Sequence, residues 1–297
     1  MRHITALLGC LPLLASAIAT AQVARPSDRE VEKLIAQTSE NAEQFERALD
    51  RDLKRSTLRG PNGEVNVENF LKDFKTNLER LDERFTGKYA ASSELLVVTR
   101  GAESIDKYMA SQPPSLKGRS EWDVFKSSLN SLTAAYGTTF PVTEGNPPRR
   151  MNDLEIQEAA DKAVKSAGDL KKSLSTVYGK EDKEGIKAAG VQIDAVTKAA
   201  KGLKARVDSS KPASGEAAVF AESVKQVRTT IGDRPLPANA KTASDGLTAS
   251  LGKVEQAFGM EPPAAAMPTV APESASPAAT ATPPVTATAE PPQAPTP

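Results

Sequence analysis

The side chains that carry most enzyme chemistry are almost missing from this sequence. Among 297 residues there is one histidine and one cysteine, and both, His3 and Cys10, fall within the first 21 positions. That segment reads as a cleaved leader, so the mature chain is expected to contain neither. Without them there is no Cys/His zinc site, no histidine-assisted nucleophile, no disulfide and no histidine-ligated haem or di-iron centre. Haem would be left with Met109, Met151 or a tyrosine, and Met109 reads as core filler. Gly60-Pro61-Asn62-Gly63 lacks the Lys-Ser/Thr that completes a phosphate loop, and Asn62-Gly63-Glu64 lacks the ligand rhythm of a calcium loop. No cofactor and no metal are expected.

Carboxylates are plentiful, and a pair of them can hydrolyse a glycoside when one is desolvated and its pKa raised. Nearly all the acids here sit among basic residues on polar helix faces, as in Asp82-Glu83-Arg84 and Lys180-Glu181-Asp182-Lys183-Glu184. That pattern predicts solvated faces. Glu103 and Asp106, beside Ile105 and Tyr108, come closest to an exception. The remaining candidates are aromatic. Phe74, Trp122, Phe125 and Tyr136 are the side chains that would line a ligand pocket between helices or a partner surface. Trp122, the single tryptophan, shares an apolar face with Phe125 and Leu129 and is expected in the core.

The elements that must position these residues are helical. Val67, Phe70, Leu71, Phe74, Leu78, Leu81 and Phe85 recur in steps of three or four, with charge between them. The same rhythm runs from Val31 to Leu53, from Leu95 to Met109 and from Trp122 to Tyr136. It continues, richer in alanine, from Ile156 to Leu174, Ile186 to Val207, Phe220 to Ile231 and Leu247 to Phe258. Ser27-Asp28-Arg29-Glu30 and Asn152-Asp153-Leu154-Glu155 are both capping boxes. Breaks fall at residues 59–63, Gly87, residues 112–114, residues 137–148, Gly179, Lys211-Pro212 and residues 234–237. These signals predict an all-α antiparallel bundle of about eight helices in two four-helix halves, residues 22–148 and 149–260. No stretch alternates at period two for long, so no sheet is expected. The alanines of the second half bury little area each, so that half is expected to lean on the first or on a partner.

Two pairs of segments align without gaps. Residues 28–49 match residues 153–174 at an offset of 125, and Glu121-Trp122-Asp123-Val124-Phe125 matches Glu216-Ala217-Ala218-Val219-Phe220 at an offset of 95. Such a repeat fits a bundle or stacked helical hairpins. Arg149-Arg150, after Pro147-Pro148, reads as plain linker rather than a processing site.

The two ends of the chain are different material. Residues 1–21 combine a basic start, an uncharged apolar run and Ala19-Thr20-Ala21, the pattern of a secretory signal. The run is at or below the ~20 residues that span a bilayer. A lipobox reading at Cys10 would leave only Ile4 to Leu8 as hydrophobic core. Residues 261–297 hold 11 prolines in 37 residues and no basic side chain, which predicts an extended, disordered tail with polyproline character. Setting Arg2 and the tail's Glu261, Glu273 and Glu290 aside, 37 basic residues face 35 acidic ones, a balance that argues against nucleic acid as partner.

These features point to an exported, non-enzymatic interaction or scaffolding protein of the periplasm, cell envelope or extracellular space, with a protein or cell-wall component as partner. A small-molecule-binding bundle is the alternative from another class, and a carboxylate-dependent wall polysaccharide hydrolase is the third. Intact-mass measurement of the exported protein is expected to place its first residue at Gln22 with no lipid on Cys10. A retained leader, or a diacylglyceryl group on Cys10, would overturn this.

Overall fold

The computed structural model describes residues 25–60 and 63–260. The leader (1–21) and the proline-rich tail (261–297) lie outside the described residues. The fold is an all-α helical bundle, with ten helices among those residues. In the first half these are α1 (Asp28–Ala48), α2 (Arg51–Lys54), α3 (Val67–Arg84), α4 (Ser92–Ser111) and α5 (Arg119–Ala135). In the second they are α6 (Asp153–Lys172), α7 (Leu174–Tyr178), α8 (Lys183–Asp208), α9 (Ser214–Ile231) and α10 (Ala238–Ala257). The eight long helices are those the hydrophobic stripes predict; α2 and α7 are single turns after α1 and α6.

The expectation of no sheet is corrected. β1 (Thr57–Gly60) pairs antiparallel with β2 (Gly63–Asn66), Thr57 opposite Asn66 and Leu58 opposite Val65. Strands of four residues are too short to show period-two alternation.

Two hydrophobic clusters form. One runs from Val31 to Phe140 and the other from Ile156 to Phe258. In the first, α1 packs on α3 and α5, and α4 packs on α3 and α5, closing a four-helix ring. In the second, α6 packs on α8 and α10, and α9 packs on α8 and α10. The plan is the same, and it repeats position by position. On α1 and α6 and just beyond their ends the buried pairs include Val31/Ile156, Ala42/Ala167, Phe45/Leu170 and Leu49/Leu174, at the offset of 125. From α3 onward the offset is 122. Val67, Leu71, Phe74, Leu78, Leu81 and Phe85 meet Ala189, Ile193, Val196, Ala200, Leu203 and Val207, all buried. Leu95, Val98, Thr99, Ala102, Ile105 and Met109 of α4 meet Ala217, Phe220, Ala221, Val224, Val227 and Ile231 of α9. Phe125, Leu129, Leu132, Thr133 and Tyr136 meet Leu247, Leu251, Val254, Glu255 and Phe258. Helices α5 and α10 then end alike, with Gly137 and Gly259 at φ of 69° and 59°, the left-handed turn that glycine adopts without strain.

This corrects the second sequence match. The offset of 95 paired α5 with α9, two helices at different places in the plan, because any two amphipathic helices align along their stripes. The true change of offset is three residues, and it falls where the first half carries α2 and the hairpin and the second carries α7.

The alanine-rich half does not borrow its core; it has a cluster of its own. Small side chains are matched by close helix approach. A Cβ added to Gly246 on α10 would collide with Ser166 Oγ on α6, whereas one added to Gly202 on α8 meets nothing within 4 Å. Gly246→Ala is therefore expected to lose to overpacking the helix-propensity gain of roughly 0.5–1 kcal/mol that an added alanine otherwise brings. Gly202→Ala should stabilise the fold by roughly 0.5–1 kcal/mol through helix propensity. Urea melts of the two variants check the pair, and equal effects would refute the close approach of α6 and α10.

Candidate functional site

A nearly buried set of charged side chains lies where α1 and α6 begin. Both starts are capping boxes. Ser27 Oγ accepts from the Glu30 amide at 3.4 Å, and Glu30 Oε2 accepts from the Ser27 amide at 2.7 Å. Asn152 Oδ1 accepts from the Glu155 amide at 2.8 Å, and Glu155 Oε2 accepts from the Asn152 amide at 2.9 Å. With each box closing its own helix end, the first-turn aspartates are left to reach across.

They do so reciprocally. The Asp28 amide donates to Asp153 Oδ2 at 2.9 Å, and the Asp153 amide donates to Asp28 Oδ2 at 2.7 Å. Arg25 Nη1 donates to Asp153 Oδ1 at 2.6 Å, and Arg150 Nη2 donates to Asp28 Oδ1 at 2.7 Å. Arg25 Nη2 donates to the Met151 carbonyl at 2.5 Å, and Arg150 Nη2 donates to the Pro26 carbonyl at 2.8 Å. Every partner is matched by its equivalent 125 residues away, so the contact has two-fold character within one chain. The set is nearly sealed: side-chain exposure is 8% for Arg25 and 1% for Arg150. Burial and the neighbouring Arg150 lower the Arg25 pKa, opposed by Asp153 and Asp28. Arg150 also donates to the Ala135 carbonyl at 3.2 Å, and the Arg25 guanidinium lies 5.9 Å from the centre of the Phe258 ring. The ends of α5 and α10 thus join the same waist.

Chemically, this arrangement is a clasp. Two cations and two anions neutralise one another, and the carboxylates are committed to amides and guanidinium groups. Arg150 is therefore part of the packed structure rather than plain linker, while Arg149 beside it is exposed.

Of the four aromatic candidates, three come together and one does not. Phe45, Trp122, Phe125 and Phe74 form a chain of rings, with centroids 5.2, 5.3 and 5.8 Å apart in turn. Trp122 Nε1 donates to Asp106 Oδ1 at 3.1 Å, and Lys126 Nζ holds the same carboxylate at 2.8 Å. Tyr136 stands at the other end of α5, its hydroxyl donating to the Ala90 carbonyl at 2.7 Å. Phe74, Trp122, Phe125 and Tyr136 are all buried, and no exposed ring platform exists among them. Phe74 floors a cleft of about 60 Å³ between α1 and α3, far below the volume of an ordinary ligand site. The carboxylate exceptions are also committed, Asp106 as above and Glu103 by accepting from the Val142 amide at 2.9 Å.

A second charged arrangement recurs between the halves. Arg84 Nε lies 3.1 Å from Glu94 Oε1, and Arg206 Nε lies 3.0 Å from Glu216 Oε1, at equivalent positions. Burial pushes the Glu94 carboxyl up, but its own amide, Tyr89, Ser93 and Arg84 together hold it below its ordinary range. A groove of about 180 Å³ opens beside it, lined by Asn77, Arg80, Arg84, Ser93, Glu94 and Val97.

Sequence reasoning found the capping boxes and missed the clasp. The signal was present: Arg25-x-Ser27-Asp28-x-Glu30 against Arg150-x-Asn152-Asp153-x-Glu155 extends the first repeat outward by one arginine. Among the described residues no group of three or more His, Cys, Asp or Glu side chains is placed to hold a metal ion. No protein-family model, curated protein or solved structure matches the chain.

Removing one clasp partner strands a buried charge, so Arg150→Met should cost ~3–5 kcal/mol in urea unfolding. A cycle with Asp28→Asn should return a coupling of ~1–3 kcal/mol, and additive losses would refute the pairing. Tyr136 supplies a pH arm. Burial raises its pKa above the ordinary 10.0, with Arg150 opposing and Asp28 and Glu94 adding to the rise. Its contribution is therefore complete below pH 10 and lost as pH rises past it, because the unfolded phenol ionises first. Tyr136→Phe should flatten this alkaline loss while forfeiting about 1 kcal/mol for the hydrogen bond.

Proposed function

We propose that the chain is an exported, non-enzymatic interaction or scaffolding protein of the cell envelope or extracellular space, built to present one helical surface twice. The observation that carries this reading is the reciprocal clasp. It fixes two copies of a four-helix unit in a set relation, which is the geometry that lets a bivalent molecule gain avidity from two modest contacts. The partner is a protein or a cell-wall component. Among the described residues no helix is long and apolar enough to cross a membrane. The buried aromatic cluster and the structural use of Glu103 and Asp106 support packing roles for the residues that a ligand pocket or a hydrolase would use.

The test is affinity capture from envelope fractions by the full chain, followed by titration with the captured component. The intact chain is expected to bind it with an avidity that falls ~10²-fold when the clasp is opened by Arg25→Met with Arg150→Met, while circular dichroism still reports helix. A purified chain that carries a small molecule in native mass spectrometry, or that releases sugars from wall polysaccharide, would overturn the reading.

A further inference from the structure

The internal repeat serves as a two-sequence alignment, and identity along it is not spread evenly. Residues 67–83 against 189–205 share one residue, Leu81/Leu203, and residues 98–112 against 220–234 share none. Between them, residues 84–97 against 206–219 share five: Arg84/Arg206, Ala91/Ala213, Ser92/Ser214, Glu94/Glu216 and Val97/Val219. The alanines are buried in the α3–α4 and α8–α9 connections, and Ser92 and Ser214 open α4 and α9. The arginine and glutamate bridge adjacent helices. Packing does not explain the valines, which are 47% and 59% exposed. Valine is a poor helix former and gains nothing from water, yet both copies keep one beside the same ion pair.

The geometry of the first copy says what it contacts. Glu94 takes the Nε edge of Arg84, and the Tyr89 ring lies 5.4 Å from its guanidinium carbon. The side chain remains 58% exposed, so the guanidinium is pre-oriented and still accessible to a second anion. Arg80 lines the same groove one turn earlier, with the Asn77 amide nearby. Two guanidinium groups against one carboxylate leave a positive, donor-rich groove with an aliphatic wall. Its volume, about 180 Å³, suits a side chain or two rather than a folded surface.

We propose that the groove between α3 and α4 docks an acidic peptide segment, its carboxylate on Arg84 and Arg80 and a neighbouring aliphatic side chain on Val97, and that Arg206, Glu216 and Val219 form a weaker second copy of the site. Gly202 and Gly215 stand in the second copy where the first has Arg80 and Ser93, which removes one cation. Planar, forked recognition of a carboxylate is what arginine does better than lysine. The aliphatic wall favours a peptide over an anionic glycan. The inference rests on the interaction reading above and names the partner's chemistry.

The experiment titrates the full chain with a Glu-Val-Glu-Val-Glu peptide, a Lys-Val-Lys-Val-Lys peptide and an oligogalacturonate, followed by calorimetry and amide chemical shifts. The acidic peptide should bind and move the amides of residues 93–97 first. Arg80→Gln with Arg84→Gln should weaken it by about ten-fold or more, and Arg84→Lys should not restore it. Val97→Ser should weaken it about three-fold with an unchanged melting temperature, which keeps the test decisive if the arginine variants unfold. No binding at about 1 mM, binding unmoved by these variants, or preference for the glycan would each overturn the proposal. Envelope capture by the intact chain would persist in those cases if only the partner chemistry were wrong, and would vanish if the interaction reading itself failed.

Discussion

The structure depends on one electrostatic constraint: a helix begins with amides that nothing inside the helix can satisfy. Here two helices begin against each other, in a place that excludes water. Each supplies an aspartate to the other's first-turn amide and an arginine to the other's aspartate. Buried charge is costly unless it is paired and hydrogen-bonded, and the reciprocity meets that condition twice with one set of residues. A capping box that closes each helix locally is what frees the aspartates for this use. The constraint then propagates outward. The ends of α5 and α10 come to the same waist, through Ala135 and Tyr136 in one half and Phe258 in the other.

What the two halves share is a set of places, and the side chains in those places are free to differ. Leu78 becomes Ala200, Leu95 becomes Ala217 and Val67 becomes Ala189, yet each stays buried. Volume lost at such positions leaves either a cavity or a closer pair of helices. In the second half Gly246 of α10 lies close against Ser166 of α6. The three-residue change in offset sits between the first and second long helices of each half, where a hairpin on one side and a single turn on the other do the same job of reversing the chain.

Much of the fold was legible in the sequence because helix signals are local. Stripes at three and four, two capping boxes and prolines at the turns are all written within a few residues of what they specify. The features that were not legible depend on distance. The clasp joins residues 125 apart, and each arginine, taken alone, resembles linker. The hairpin is too short to carry a period. Phe74, Trp122, Phe125 and Tyr136 are the residue types that line pockets, but they are equally the types that fill cores, and only packing distinguishes the two. Pairing α5 with α9 failed for the same reason: a stripe identifies a helix as amphipathic without saying which neighbour covers it.

The two copies are not interchangeable, and one difference sits at the waist. Tyr136 and Phe258 occupy the same place, but only Tyr136 has a hydroxyl, and it reaches across to the Ala90 carbonyl beside the α3–α4 hairpin. The connection that follows is pinned to the first half. Thr138 donates to the Asn146 carbonyl, Glu103 accepts from the Val142 amide, and the Arg149 amide donates to the Tyr136 carbonyl. The hairpin that carries Arg84 and Glu94 is therefore tied to α5, and α5 is tied to the clasp. In the second half the equivalent residue, Phe258, has no hydroxyl to make that bond, and its ring faces Arg25. A surface tied down by such bonds loses less conformational freedom when it is engaged. The first copy also has the second arginine, so both preorganisation and charge assign the stronger contact to the first half and the supporting one to the second.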